Sequence, residues 1–162
     1  TVAYIGDGNN VCTSWIYAAA LLGVHLRVIC PPGYEPSASV LAKAAGLRAP
    51  GTDFEVTQNA ASALRDTEII YTDVWTSMGQ ETEQQRRRED FASLQVNDAL
   101  VSQAPAGVRV MHCLPAHRGE EITDSVIDGP KSMVFDQAEN RLWVQQALLA
   151  LIHSDGNGEA VA

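Results

Sequence analysis

The sequence predicts one α/β domain, a doubly wound and mainly parallel sheet with helices on both faces. Three observations carry this. Short apolar runs rich in Val, Ile and Tyr recur at 2–5, 26–30, 54–57, 69–72, 108–112 and 133–135. They are continuous rather than alternating, as strands covered on both faces require. Helical stretches lie between them, and strand alternating with helix gives a parallel sheet. The length, 162 residues, suits one domain that buries its own core without disulfides or metal.

Taken in order, the strand over 2–5 leads into GDGNN at 6–10, where Asn9 or Asn10 caps a helix over 10–23 that Gly23 ends. The second strand, 26–30, meets PPGYEP at 31–36, which forces a turn before a helix over 37–46. A third strand at 54–57 precedes a helix over 60–66, and the fourth, 69–72, runs into TDVWTSMGQE. The stretch QETEQQRRRED at 80–90 mixes both charge signs without an apolar stripe. It reads as a solvated loop or helix face, with a mobile lid as the alternative. A helix over 97–103 precedes the fifth strand, 108–112, and the sixth, 133–135, precedes a helix over 138–153. Residues 154–162 lack apolar periodicity and read as a frayed tail.

Composition excludes several functions. Acidic residues outnumber basic ones, 20 to 11, and no segment gathers the basic and aromatic residues that would track a phosphate backbone, so nucleic acid is not expected as a partner. The apolar stretch at 15–24 is too short to span a bilayer and no basic region precedes it, so no membrane partner is expected. Three cysteines without a Cys-x-x-Cys pair fit a reducing compartment, by default the cytoplasm. The chain starts directly on a buried strand without Met, which suggests a piece of a longer protein.

In such sheets ligands bind beyond the carboxyl ends of the strands, so the residues following each apolar run hold the interest. GDGNN offers a tight turn and a helix start suited to an anion or carboxylate. It is not a dinucleotide fingerprint, because Val11 stands where the third glycine is needed and Cys30-Pro31, not an acid, end the second strand. Asp73, at the end of the fourth strand, either binds a cationic amine or caps its own turn. After the fifth strand, VMHCLPAHRGEE places His112 beside Cys113. Strand neighbours point to opposite faces, so the two do not converge on one metal, and His117 does not complete a site. Cys113 is then either an inert buried thiol or a group facing the cleft and poised for an amine if its pKa is lowered. Arg141 suits a phosphate or carboxylate, or pairs on the surface with Glu139 or Asp136.

Taken together, GDGNN, DVWTSMGQE, HCLPAHRG and FDQAENRLW, in this order, resemble the amino-acid-binding domain of the ornithine carbamoyltransferases over residues 1–153. SMG together with HCLP looks like the ornithine enzymes rather than the aspartate enzymes, whose corresponding stretch lacks the Cys. The resemblance implies a Rossmann-like fold. It implies that Asn10, Asp73, Ser77 and Met78 hold the α-amino and α-carboxylate ends of ornithine, and that the loop at 77–79 closes over it. It implies that Cys113 is the catalytic proton acceptor, and that Cys113, Leu114 and Arg141 bind carbamoyl phosphate. No metal or organic cofactor is implied, and the family is built on trimers. The family's Ser-x-Arg-Thr and His-Pro-x-Gln motifs, which belong to a carbamoyl-phosphate-binding first domain, do not occur in these 162 residues. The chain alone is therefore expected to be inactive. The alternatives are a carbamoyltransferase for putrescine or another ornithine analogue, and a non-catalytic amino-acid-binding module.

Overall fold

The computed structural model describes residues 1–76, 79 and 81–154. Ser77 and Met78 lie outside the described residues, as does nearly all of the expected tail. Five parallel strands, β1 (Val2–Ile5), β2 (Leu26–Ile29), β3 (Phe54–Thr57), β4 (Ile69–Thr72) and β5 (Arg109–His112), form one sheet in the order β3-β2-β1-β4-β5. The pairing is in step, with Tyr4 opposite Val28 on one side and Tyr71 on the other. Strand order reverses between β1 and β4, which opens a crevice at their carboxyl ends.

Alternation sorts the strand residues onto two faces. On one, Val2, Tyr4, Leu26, Val28 and Tyr71 pack with Cys12, Ile16 and Ala20 of α1 (Asn10–Leu22) and Ala44 of α2 (Ala38–Leu47). On the other, Ala3, Ile5 and Ile70 meet side chains of α3 (Ala60–Ala63), α4 (Gln84–Phe91), α5 (Asp98–Val101) and α6 (Asp124–Ile127). The sheet is thus covered on both sides. The edge strand β3 departs from the expected burial, because Glu55 and Val56 are exposed where no further strand covers them.

The expected sixth strand is absent. Residue 134 begins a helix, α7 (Val134–Ile152), whose Val134 packs into the core, and the backbone meets the sheet in the turn leading into it. There Val110 N–H donates to Lys131 O at 2.9 Å and Met133 N–H to Val110 O at 2.8 Å. A three-residue apolar run before a helix has the same composition as a short strand, and periodicity cannot separate them. The helix over 60–66 shortens to one turn, ending in Leu64 and Thr67, both buried.

Helix ends follow their residues. Asn9 caps α1, its Oδ1 accepting from the N–H groups of Val11 and Cys12, and Gly23 closes it at φ 73°. Gly8 is required for a different reason: a Cβ there would lie 2.4 Å from Pro36 N. This close approach locks the turn after β1 against the 31–36 turn.

The free cysteines give the fold a pH dependence. Burial pushes the Cys30 thiol up to about 12, and that of Cys12 up further. The folded chain keeps protons that the unfolded chain releases near pH ~9, so stability falls as pH rises from ~9 towards ~12. The thermal midpoint followed by circular dichroism should drop across that interval, and less steeply in a Cys30→Ala variant. Equal slopes for the two proteins would show that these thiols do not contribute.

Candidate active site

The crevice between β1 and β4 is closed by one side-chain bridge. Asn9 uses its oxygen to cap α1 and its amide to reach across, Nδ2 donating to Asp73 Oδ2 at 3.0 Å. Tyr4 O–H donates to the same Asn9 oxygen at 3.2 Å. Asp73 follows β4 and is buried, at 5% exposure. Its Oδ1 accepts from its neighbour Val74 N–H at 2.8 Å and from the Cys113 thiol at 3.0 Å. Among the described residues Asp73 has no cationic partner, so its charge is held by three dipolar donors. A buried carboxylate arranged in this way is ready to receive an ammonium group.

Cys113 directly follows β5 and is half-buried. Burial and the Asp73 carboxylate push its thiol up to about 12, while the Tyr71 hydroxyl opposes the shift. The lowered pKa that would ready this cysteine for an amine is therefore not found. Burial is the first cause, and the neighbouring Asp73 charge adds to it by opposing a second negative charge.

His112 points the other way and is fully buried with Glu121, Nε2 lying 3.0 Å from Glu121 Oε1. Leu114 N–H donates to His112 Nδ1 at 2.9 Å, so Nε2 carries the proton and donates it to the carboxylate. The same Glu121 oxygen accepts from His117 N–H at 2.6 Å. This buried pair frames the turn at 112–117. In it Leu114 adopts φ 54°, a left-handed conformation that costs a branched side chain about 1 kcal/mol. Glu121 was not singled out from sequence. Its signal was faint, an acid nine residues beyond a His across a Pro-containing turn. Among the described residues, no three His, Cys, Asp or Glu side chains gather as metal ligands would.

Arg141 lies about two helical turns into α7, on its exposed face. It borders an open hollow shared with Cys113, Leu114, Pro115, Ala138 and Gln145. The structure thus brings Cys113, Leu114 and Arg141 together at one mouth, with Asp73 behind the thiol. Asn10, the first residue of α1, is exposed beside this crevice, and Asn9 rather than Asn10 makes the cap.

The acidic and basic stretch at 80–90 also differs from expectation. Most of it forms a 3-10 turn and α4, and Arg87, in its middle, is buried with its side chain 7% exposed. Nη1 donates to Asp7 Oδ2 at 2.7 Å and to Trp75 O at 3.0 Å, Nε donates to Glu83 at 3.1 Å, and the guanidinium lies over the Tyr34 ring. Arg87 therefore ties the turn after β1 to the segment after β4. Its signal in the sequence was Phe91, four residues on and fully buried, which puts both side chains on the inner face of one helix.

Comparison with known proteins agrees with this geometry. Residues 1–152 match the family described as aspartate/ornithine carbamoyltransferase, Asp/Orn binding domain. An ornithine carbamoyltransferase of Methanosarcina mazei is 53% identical over 147 residues, which cover 91% of this chain and 48% of that protein. That of Acidothermus cellulolyticus is 48% identical over 161 residues, 99% of this chain and 52% of the relative. Among solved structures, the ornithine carbamoyltransferase from Pyrococcus furiosus superposes with a TM-score of 0.84 at 51% identity, covering 93% of this chain and 48% of that one. The chain thus spans about half the length of the relatives it matches. It belongs to the aspartate/ornithine carbamoyltransferase family, as that family's Asp/Orn binding domain.

Proposed function

We propose that this chain is the ornithine-binding half of an ornithine carbamoyltransferase, which transfers the carbamoyl group of carbamoyl phosphate to the δ-amine of L-ornithine. The products are L-citrulline and phosphate. The observation that carries this reading is the buried Asp73 carboxylate bonded to the Cys113 thiol, at a crevice whose mouth holds Arg141.

Ornithine's δ-amine enters as an ammonium ion and must lose a proton before its nitrogen can attack. Asp73 supplies the negative charge that draws it in. With a cation between Asp73 and Cys113, the repulsion that raises the thiol's pKa is compensated, so the thiolate becomes accessible as proton acceptor. The freed nitrogen lone pair forms the C–N bond to the carbamoyl carbon, the C–O bond breaks with its electron pair going to phosphate, and the departing phosphate takes the second proton from the nitrogen. Arg141 is suited to the departing phosphate by its fork of donors. Asn10, Ser77 and Met78 are assigned to the amino-acid end of ornithine, where the resemblance also puts Asp73, whose bond to the Cys113 thiol supports the reacting amine instead; the Leu114 backbone is assigned to the carbamoyl group. No metal or organic cofactor enters the reaction.

The reading gives this chain a partner half carrying the phosphate-binding motifs it lacks. On α7, Leu142, Trp143, Leu148, Leu149, Leu151 and Ile152 are all more than half exposed, an apolar surface that such a half would cover. The complete enzyme is assigned to the cytoplasm as a homotrimer or higher oligomer. Among the described residues no helix is long and apolar enough to cross a membrane.

The test is a citrulline assay on the complete protein that carries this chain and on the chain alone. The complete protein should turn over ornithine and carbamoyl phosphate, with putrescine a poor substitute, and the chain alone should give no product above the blank. Preference for putrescine would overturn the ornithine assignment, and a silent complete protein would overturn the enzymatic one.

A further inference from the structure

The geometry points to Gln137 as the positioning residue that fixes where Arg141 stands over Cys113. This inference rests on the carbamoyltransferase reading above.

Gln137 lies in the first turn of α7 and binds the sheet with both ends of its amide. Oε1 accepts from the backbone N–H of His112 at 3.1 Å, and Nε2 donates to the Tyr71 hydroxyl at 3.2 Å. One side chain therefore spans the carboxyl ends of β4 and β5. It fills the donor left open where β5 stops, next to Cys113.

The helix needs this tie. Val134 is its buried residue, and the face beyond Arg141 is exposed. Its approach to the sheet is set by the turn at 131–133 and by Gln137. Arg141 follows Gln137 by four residues, one helical turn along the same face. Gln145 continues that face into the same hollow. A rotation of the first turn about the helix axis would swing the guanidinium away from the Cys113–Leu114 mouth. Tyr71 contributes a second constraint: its ring packs edge-on against Trp15, with centroids 5.0 Å apart, so the hydroxyl that receives the amide is itself held.

A plain structural role, that of satisfying the His112 N–H, predicts a general loss of stability. The positioning role predicts a selective kinetic effect, and three variants separate the two. Gln137→Leu removes both hydrogen bonds. Gln137→Glu keeps an acceptor for His112 N–H and lets the Tyr71 hydroxyl turn and donate to it. Tyr71→Phe removes only one of the two Gln137 bonds, together with the hydroxyl's interaction with the Cys113 thiol.

In the complete enzyme, Gln137→Leu should raise KM for carbamoyl phosphate about tenfold, the factor that corresponds to about 1.4 kcal/mol. KM for ornithine should stay within about twofold, since the two lost neutral hydrogen bonds run to the His112 N–H and the Tyr71 hydroxyl and neither reaches Asp73. Gln137→Glu should restore KM for carbamoyl phosphate, and Tyr71→Phe should fall between. On this chain alone, hydrogen exchange at the His112 amide should speed up in Gln137→Leu and stay slow in Gln137→Glu. Equal rises in both KM values, no rescue by glutamate, or unchanged exchange in the leucine variant would overturn the inference. A complete wild-type protein that makes no citrulline would sink the enzymatic reading instead, and the exchange measurement would still decide whether Gln137 holds α7 to the sheet.

Discussion

Replacing Cys113 by alanine in the complete enzyme is expected to lower turnover about a hundredfold to ten-thousandfold, the usual contribution of a positioned proton acceptor. Ornithine affinity should change far less, because the Asp73 carboxylate remains to bind the ammonium. Stability should change little. Cys113 is half-buried and the substitution removes one thiol–carboxylate bond, worth about 1 kcal/mol. The protonation of the cysteine can be read separately on the chain itself. Cys12 and Cys30 are buried, so a water-soluble alkylating reagent reports on Cys113. Its thiol is pushed up to about 12, first by burial and then by Asp73. Alkylation should be slow at neutral pH and rise with pH well beyond the ordinary thiol range of about 8.5. Asp73→Asn removes the repelling charge, so it should speed alkylation at any fixed pH below that range. Saturating ornithine, tested in the complete enzyme, should shift the profile the same way if its ammonium sits between the two side chains. Near-normal turnover of Cys113→Ala would return this residue to the core. An alkylation midpoint near the ordinary value would remove Asp73 from its neighbourhood.

The sheet was legible because its five strands are short runs in which Val, Ile, Leu, Tyr and Phe predominate, bounded by Gly, Pro and Asp, and the positions after them locate the crevice. Asp73 and Cys113 could be picked out as strand-end residues, but not as partners, since 40 residues separate them and only the order β1-β4-β5 brings them together. That order is a tertiary property. The false strand at 133–135 arose because an apolar turn before a helix carries no periodicity. Glu121 and Arg87 escaped for a shared reason: a charged residue in a polar stretch reads as solvated, and only a partner distant in the chain shows that it is buried. Those partners, His112 for Glu121 and Asp7 for Arg87, lie 9 and 80 residues away. The tautomer of His112 was hidden for a different reason: it depends on the Leu114 N–H, only two residues on, which the conformation of the turn directs at Nδ1.

Substituting Arg87 by methionine is expected to cost about 3 kcal/mol of stability and to weaken ornithine binding more than tenfold in the complete enzyme. Methionine keeps most of the volume against Phe91 and Tyr34, so the loss is polar. Asp7, with its side chain 13% exposed, would keep its charge without a cation, and the Trp75 carbonyl would lose its donor. Glu83 is 55% exposed and its pair with Arg87 contributes little, so the cost lies with Asp7 and Trp75. A loss of that size is a large share of the ~5–15 kcal/mol that holds a domain folded, and thermal unfolding will show it directly. The binding effect follows from what Arg87 joins. Asp7 lies two residues before the Asn9 bridge to Asp73, and Trp75 lies two residues after Asp73 on the way to Ser77 and Met78. Without their common anchor, both sides of the ornithine crevice are free to move apart, while the Cys113–Arg141 mouth keeps its own supports. KM for ornithine should therefore rise well above that for carbamoyl phosphate. Arg87→Lys separates charge from geometry: one ammonium can neutralise Asp7 but cannot reproduce the planar fork that also reaches Trp75 O. The lysine variant should recover most of the stability and only part of the ornithine affinity. If methionine at this position leaves ornithine binding as in the wild type, the crevice does not depend on this anchor and Arg87 is a fold-stabilising residue alone.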